Sequence, residues 1–201
     1  MSTREKLPSR RDENAEKTRR AMLVAARKVF ARDGYADAPL EAIVKAARVT
    51  TGAVYHHFGD KKGLFRAVAE DLEGELLQKI LAAAAHERDA WKRLTTAVRV
   101  MLELSLAPEM RQILFRDAPN VIGANEWHEI EKRYALGAMI ATLNDLAKAG
   151  VIRVDNPELL ALMLLGAFRE AAHSVATSDD PKRMIKEAQG VIVGMLGAFK
   201  P

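Results

Sequence analysis

The stretch VTTGAVYHHF, residues 49–58, brings together side chains that could do chemistry. Two hydroxyls, a tyrosine and two histidines could bind a metal, transfer protons or contact nucleic acid. His56 and His57 are adjacent, so on a helix they point about 100° apart and cannot readily share a metal. The secondary structure around residues 49–58 must therefore be considered before a function is assigned to them.

Two further motifs give weaker signals. Glu170-Ala-Ala-His173 has the spacing of a di-iron helical bundle, but such a site needs a second copy and two more carboxylates. We expect His173 to be a packed or pocket-facing imidazole instead. The run GVIVGMLG lies inside a predicted helix and lacks the Lys-Ser/Thr of a phosphate-binding loop. We expect no metal, no cofactor and no enzymatic activity.

The elements around residues 49–58 are short helices. Residues 1–13 are predicted to form a flexible basic arm, and a helix should run from about Glu16 to Arg32. Gly34 is expected to end that helix as a left-handed cap. Pro39 should begin a second helix, and Thr50 should cap a third from Thr51 to Phe58.

Two short helices joined by a tight turn at Arg48 and Val49 form a helix-turn-helix, whose second helix enters the DNA major groove. Thr51, Ala53 and His56 would then meet base edges. Gly52 would allow close approach of the backbone, and the helix start would favour a phosphate. Val54 and Phe58 should face the core.

At these residues the chain resembles the DNA-binding domain of the TetR family of bacterial transcriptional regulators. The resemblance covers residues 17–68 and is carried by FARDGY and LEAIVKAARVTTGAVYHHFGDKKGLF. Two positions depart from the family pattern. Ala38-Pro39 replaces the usual Thr or Ser at the start of the second helix, and Arg48 replaces the usual turn glycine. The first change removes a hydroxyl contact to phosphate, and the second places a cation near the DNA.

The resemblance implies roles for the side chains. Tyr55, His57 and Lys61 would hold phosphates, while Thr51, Gly52 and His56 lie against the bases. Thr50 would cap the helix and contact phosphate. Two alternatives remain open: Tyr55 could be a core tyrosine with a solvated hydroxyl, and His57 could pack under the next helix.

The rest of the chain is also predicted to be helical, so the fold class is all-α. Asp60 should cap a fourth helix. Further helices are expected at 89–106, 108–116, 124–149, 156–176 and 181–199. Two of them have clear starts, at Asp155 with Pro157 and at Asp180 with Pro181. We divide the chain into a DNA-binding domain at 14–74 and a helical ligand-binding and dimerisation domain at 75–201.

Composition supports a DNA-binding protein of the cytoplasm. Residues 1–62 carry 14 Lys and Arg against 8 Asp and Glu, whereas residues 63–201 carry 17 against 19. A basic first third suits a polyanion such as DNA. The N-terminus lacks the apolar core of a secretory signal, cysteine is absent, and the longest charge-free apolar run, 188–199, is too short to cross a bilayer.

Two hypotheses concern residues 75–201. The first is a two-fold homodimer, predicted from three glycines of the last helix and from the apolar run 159–168 of the preceding one. The residues assigned to this homodimer are Met163, Ala167, Gly190, Gly194 and Gly197. A small, mostly apolar effector would bind inside each bundle and control the affinity for palindromic double-stranded operator DNA. The residues assigned to it are Trp91, Met101, Arg116, Trp127, Tyr134, Met163 and His173. The alternative is a DNA-binding protein without an effector, architectural or partner-controlled.

Overall fold

The computed structural model describes residues 10–201, apart from the side chain of Arg11, and these residues form helices without strands. The predicted all-α fold class is confirmed. The helices are α1 (Arg10–Asp37), α2 (Leu40–Ala47), α3 (Thr51–Phe58), α4 (Lys61–Ala84), α5 (Ala90–Leu104), a π-helix (Met110–Asp117), α6 (Ala118–Val121), α7 (Ala124–Arg133), α8 (Ala135–Lys148), α9 (Pro157–Thr177) and α10 (Pro181–Gly197).

Helix α1 is longer than predicted at both ends. It begins at Arg10, so residues 10–13 of the predicted arm are helical, and residues 1–9 lie outside the described residues. Asp12 and Glu13 in the first turn favour an earlier start because carboxylates stabilise the positive end of the helix dipole. Gly34 has the expected positive φ (φ 74°, ψ 171°), but it kinks the helix instead of ending it, and helical residues continue to Asp37.

Contacts divide the chain into two compact units, with the boundary after Val68 inside α4. The core of the first unit comes from α1, α2, α3 and the start of α4. Its aromatic centre is Phe65, whose ring lies 5.1 Å from both Phe30 and Tyr35 at steep interplanar angles. Ile43 of α2 and Val54 of α3 are completely buried. The prediction that Val54 faces the core is therefore confirmed.

The second unit buries one face each of α5, α8, α9 and α10 in a common apolar core. Helix α9 is long and apolar enough, by length and composition, to cross a bilayer, but core helices of soluble proteins pass the same test. Its buried residues belong to this core, and they are Leu160, Ala161, Leu164, Leu165, Phe168, Ala172 and Val175.

The predicted helix 124–149 is interrupted at Tyr134 (φ −122°, ψ −116°), which separates α7 from α8. Gly137 explains how the chain makes this tight break. A Cβ atom at Gly137 would lie 2.0 Å from the carbonyl oxygen of Lys132, so only glycine fits without moving the backbone. Gly137 is the one local signal for the break, but apolar periodicity continues across it.

The segment predicted as a helix at 108–116 followed by a loop is also different. The π-helix is followed directly by α6, so helical backbone continues to Val121. A side-chain hydrogen bond spans the π-helix, from Gln112 Nε2 to Asp117 Oδ2 at 3.0 Å. Pro119 does not break the chain here because it lies in the first turn of α6, where its missing N–H is not needed.

Caps at the helix starts follow the predictions with one correction. Asp60 accepts a hydrogen bond from Gly63 N–H at 2.6 Å, and Asp180 accepts one from Arg183 N–H at 3.1 Å. The prediction that Asp155 starts α9 is wrong. Asn156 is the cap, with its Oδ1 2.9 Å from Leu159 N, because it immediately precedes Pro157 at the first helical position.

The corner between α3 and α4 yields a test of the packing. A Cβ atom at Gly63 would lie 1.9 Å from the Phe58 carbonyl oxygen, so Gly63→Ala should lower the free energy of unfolding by about 1–3 kcal/mol. Gly52→Ala is the matched control, because its Cβ would meet only Thr50 Oγ1 at 3.8 Å. Urea denaturation should show a change of less than about 1 kcal/mol for this control. Equal stability of the two variants would contradict the tight corner.

Candidate functional site

The turn between α2 and α3 is held by one strained residue and one cap. Arg48 adopts the left-handed conformation (φ 56°, ψ 44°), and its N–H bonds back to the carbonyls of α2. It is the only non-glycine residue with positive φ in the described chain. Thr50 Oγ1 accepts a hydrogen bond from Ala53 N–H at 3.3 Å, which confirms the predicted cap. These two contacts fix the direction in which α3 begins.

Helix α3 presents a polar outer face above a single buried side chain. Val54 is completely buried, as predicted, whereas Thr51, Gly52 and His56 are exposed. Tyr55 is 55% exposed, so it is not a core tyrosine. The exposed residues include the free N–H groups at the start of the helix, which favour an anion. This surface can therefore meet a phosphate backbone and base edges together.

The other residues of α3 are less exposed than Thr51, Gly52, Tyr55 and His56. Ala53 and His57 are half-buried, and the His57 ring lies 5.2 Å from that of His56. Phe58, expected in the core, is only half-buried, and the Arg19 guanidinium lies 5.5 Å from its ring centroid.

Lys61 is tied to the first unit by two contacts. Its Nζ lies 4.7 Å from the Tyr35 ring centroid and donates to the Ala36 carbonyl oxygen at 3.3 Å. Lys61 therefore has a structural contact in addition to any contact it makes with phosphate, and the two must be separated by experiment.

The second unit contains a cavity of about 220 Å³ with an almost entirely apolar wall. Helices α4, α5, α8, α9 and α10 all contribute to it. The polar groups in the wall are few, namely Arg93 and Thr142. The apolar wall includes Leu77, Met101, Ala138, Met139, Leu165 and Phe168.

Of the seven residues assigned to an effector, Met101 lines this cavity and the others lie elsewhere. Trp91 packs beside the core with Lys200 Nζ 3.9 Å from its ring, and Trp127 is only 2% exposed. The side chains of Arg116, Met163 and His173 are exposed.

We expected the His173 side chain to be packed or to face a pocket, but it does neither. Ala172 and Val175 form the buried side of α9 at that level. Glu170 is exposed too. Within residues 10–201 no group of three or more His, Asp or Glu side chains is placed to hold a metal ion.

Tyr134, the seventh residue, belongs to a polar cluster that the sequence analysis did not identify. Arg133 Nη2 and Tyr134 Oη lie 3.0 and 3.4 Å from Glu70 Oε1. Burial, followed by the charge of Glu70, raises the pKa of Tyr134. Beside this group, Arg169 forms an ion pair with the buried Glu131.

Glu73 is the most buried member of this cluster, at 4% exposed. Its carboxylate accepts a hydrogen bond from the backbone N–H of Ala135, but its Oε2 has no partner among the described residues. Burial first, and then the charge of Glu131, raises the pKa of Glu73 to about 8. The buried nitrogens Arg111 Nε and Trp127 Nε1 also lack partners within the described chain.

A common pattern in three helices could have identified the buried charges. In each, a charged residue stands at position i+4 of an apolar stripe with spacing i, i+3, i+4, i+7, which is one face of a helix. The stripes are Ala69-Leu72-Glu73-Leu76, Trp127-Ile130-Glu131-Tyr134 and Leu165-Phe168-Arg169-Ala172. The charge is buried at Glu73 and Glu131 but only half-buried at Arg169, and the pattern does not identify its partner.

Helices α9 and α10 leave apolar side chains exposed. Met163 is 61% exposed and Val191 64%, and Leu159 and Met195 are exposed as well. Gly190 and Gly194 are exposed beside them, while Ala167 and Gly197 are half-buried. A Cβ atom at any of the three glycines of α10 would meet nothing within 4 Å among residues 10–201. We call these residues the α9–α10 face.

The short helices α2 and α3, their fixed turn and the polar outer face of α3 define a helix-turn-helix DNA-binding protein. Two family profiles match the chain. "Bacterial regulatory proteins, tetR family" matches residues 22–68, and "Tetracyclin repressor-like, C-terminal domain" matches residues 91–199, more than half of the chain. The chain belongs to the TetR family, and it is a DNA-binding transcriptional regulator, not an enzyme.

Individual relatives agree with this assignment. A TetR-family regulator from Pectobacterium atrosepticum has a similar structure with 32% identity and a TM-score of 0.76, covering 96% of this chain and 98% of that one. The Transposon Tn10 TetC protein of Escherichia coli is 25% identical over 80% of this chain and 81% of its own. The repressor AcnR of Corynebacterium diphtheriae is 29% identical over 69% of this chain and 70% of its own.

Proposed function

We propose that this regulator is a cytoplasmic repressor that binds a palindromic operator as a homodimer and is controlled by a small, mostly apolar effector. The polar face of α3 is the observation that carries the DNA-binding part. Thr51 and Gly52 are exposed at the start of a helix whose direction is fixed by the Thr50 cap, and His56 is exposed further along the same helix. The N-terminal residues of a second helix in such a motif lie against base edges.

Arg48 supports a phosphate contact beside that face. A left-handed conformation costs a non-glycine residue roughly 1–2 kcal/mol, and glycine would avoid that cost. An arginine kept in a strained turn next to α3 suggests a use for its exposed guanidinium. Together with Tyr55, His57 and Lys61 it would set affinity and register through phosphates, which carry no sequence information.

The α9–α10 face supports the homodimer. Each helical glycine costs about 1 kcal/mol relative to alanine, and no described residue lies within 4 Å of a Cβ atom placed at the three glycines of α10. Small residues beside exposed Met163 and Val191 suit the close approach of two helices from a second copy. A two-fold dimer would bring two α3 helices to the two half-sites of a palindrome.

The cavity of the second unit supports an effector. An apolar wall with a few polar groups is typical of a small-molecule site. An effector can change operator affinity only if it binds better to one arrangement of the two α3 helices than to the other. Helix α4, which carries Lys61 in one unit and Leu77 of the cavity wall in the other, is the element through which such a preference would act.

Operator binding provides the first test. Lys61→Ala should weaken binding about equally on all sequences and reduce the salt slope by about one unit, as expected for a lost phosphate contact. Thr51→Ala should instead change base preference within each half-site at a cost of roughly 1–3 kcal/mol. Binding would be measured by fluorescence anisotropy on an operator footprinted upstream of the protein's own gene.

Arg48→Gly is the control that distinguishes the loss of a phosphate contact from a loss of stability, because glycine adopts the Arg48 backbone conformation without strain. It should reduce the salt slope while thermal unfolding remains unchanged or improves. A sequence-independent loss from Thr51→Ala, with Lys61→Ala silent, would contradict the assigned roles.

The α9–α10 face provides the second test. Gly194→Leu should convert the dimer to monomers in sedimentation equilibrium at micromolar concentration. A Cβ atom at Gly194 meets no described residue within 4 Å, and a leucine there would fill the space between two copies. Ala141→Leu is the control, since it places the same side chain at an exposed position of α8. A wild-type monomer, or a Gly194→Leu variant that assembles normally, would refute the proposed interface.

The cavity provides the third test. Compounds that raise the melting temperature of the wild type would be titrated with and without operator DNA. The two dissociation constants should differ about 5- to 150-fold, the usual range of allosteric coupling. Ala138→Leu should fill the cavity and abolish the melting shift while operator binding persists; Ala141→Leu, also on α8 but outside the cavity wall, should not. Equal constants would favour an effector-independent regulator.

A further inference from the structure

Glu73 adjoins the cavity at the end where α4 meets α8. It lies one helical turn before Leu77, which is part of the cavity wall, and Ala135, whose N–H donates to its carboxylate, is part of the same wall. A carboxylate with an unpartnered oxygen thus neighbours two residues of the cavity wall, although Glu73 is not itself among the lining residues, and that wall is poor in polar groups. A buried group of this kind is costly unless it gains a partner.

The other two carboxylates of this cluster each have an ion-pair partner, whereas Glu73 has none among the described residues. From its own helix, Glu70 pairs with Arg133. From α7, Glu131 pairs with Arg169 of α9. Tyr134, between α7 and α8, contributes a hydroxyl that already lies near Glu70. The described residues of this cluster thus contain three carboxylates and two guanidinium groups. The charge of Arg169, which pairs with Glu131, acts to lower the pKa of Glu73, but Glu73 forms no ion pair of its own among these residues.

We propose that the cavity binds an amphipathic cation, with its apolar body against the cavity wall and a protonated amine paired with Glu73. This inference rests on the proposed effector cavity and names the chemical class of the effector. The ammonium group supplies the missing positive charge and hydrogen-bond donors to the unpartnered oxygen. A carboxylate-bearing ligand of the same size would instead bring a further negative charge beside Glu131 and, where it is ionised, Glu73.

The raised pKa of Glu73 makes this pairing depend on pH. Near neutral pH the isolated carboxyl group is mostly protonated, because its pKa is about 8. An ammonium ion favours the ionised form, so binding releases the Glu73 proton to the solvent. Affinity for the cation should therefore rise with pH about tenfold per unit below the pKa of Glu73 and level off above it.

The experiment uses three probes with the same chain and different head groups, namely octylamine, octanol and octanoate. Isothermal titration of the wild type between pH 6 and 9 should show that octylamine binds at least tenfold more tightly than octanol at the upper end of this range, and octanoate most weakly. Only the octylamine constant should follow the predicted pH dependence. Its binding enthalpy should also differ between Tris and phosphate buffers at pH 7, because one proton is released.

Glu73→Gln keeps the shape of the side chain and removes its charge, and replacing a buried carboxyl by an amide should not prevent folding. In this variant octylamine should bind no better than octanol, at every pH. Glu170→Gln, a change at an exposed glutamate of α9, should behave as the wild type.

Equal binding of octanol and octylamine to the wild type, or an amine preference that survives in Glu73→Gln, would overturn the cation assignment while leaving the cavity as an effector site. Failure of all three probes to bind would instead refute the cavity as a ligand site, and with it the inference that depends on it.

Discussion

The presentation of α3 depends on the short turn that precedes it. An eight-residue helix is too short to be stable in water by itself, and only Val54 of α3 is fully buried. Its direction is therefore set largely by the left-handed Arg48, the Thr50 cap and the tight corner at Gly63. These constraints involve the backbone and the Thr50 side chain. The exposed side chains of Thr51, Tyr55 and His56 are therefore not needed to orient α3 and can contact DNA.

The second unit is organised by a different constraint, since two of its helices are apolar on more than one side. The buried face of α9 packs on α5, α8 and α10, yet Met163 and Leu159 remain exposed. Burying such side chains contributes roughly 1.5–3 kcal/mol each. The stability of this unit would therefore be coupled to assembly, and the geometry of a dimer would fix the separation of the two α3 helices that an effector is proposed to alter.

Several features set by nearest neighbours in the sequence were predictable, although the cap of α9 was misplaced by one residue, and features set by distant contacts were not. The caps Thr50, Asp60 and Asp180 depend on residues within about four positions of one another, so spacing suffices. The break at Tyr134 depends on how α7 and α8 pack on other helices. The cavity is lined by residues from five helices, which explains why only Met101 of the residues assigned to an effector lies in its wall.

Glu73 shows how local pattern and distant packing combine. Its stripe on α4 marks the position as buried, but its neighbours Glu131 and Arg169 lie on helices far along the chain, so its charge state follows only from the assembled unit. A well-packed apolar residue at such a position is often neutral or stabilising relative to a buried charge. A buried carboxylate without an ion pair of its own thus lowers the stability of the ligand-free protein. A ligand that supplied a cation would recover this free energy on binding, and its affinity would be higher for that reason.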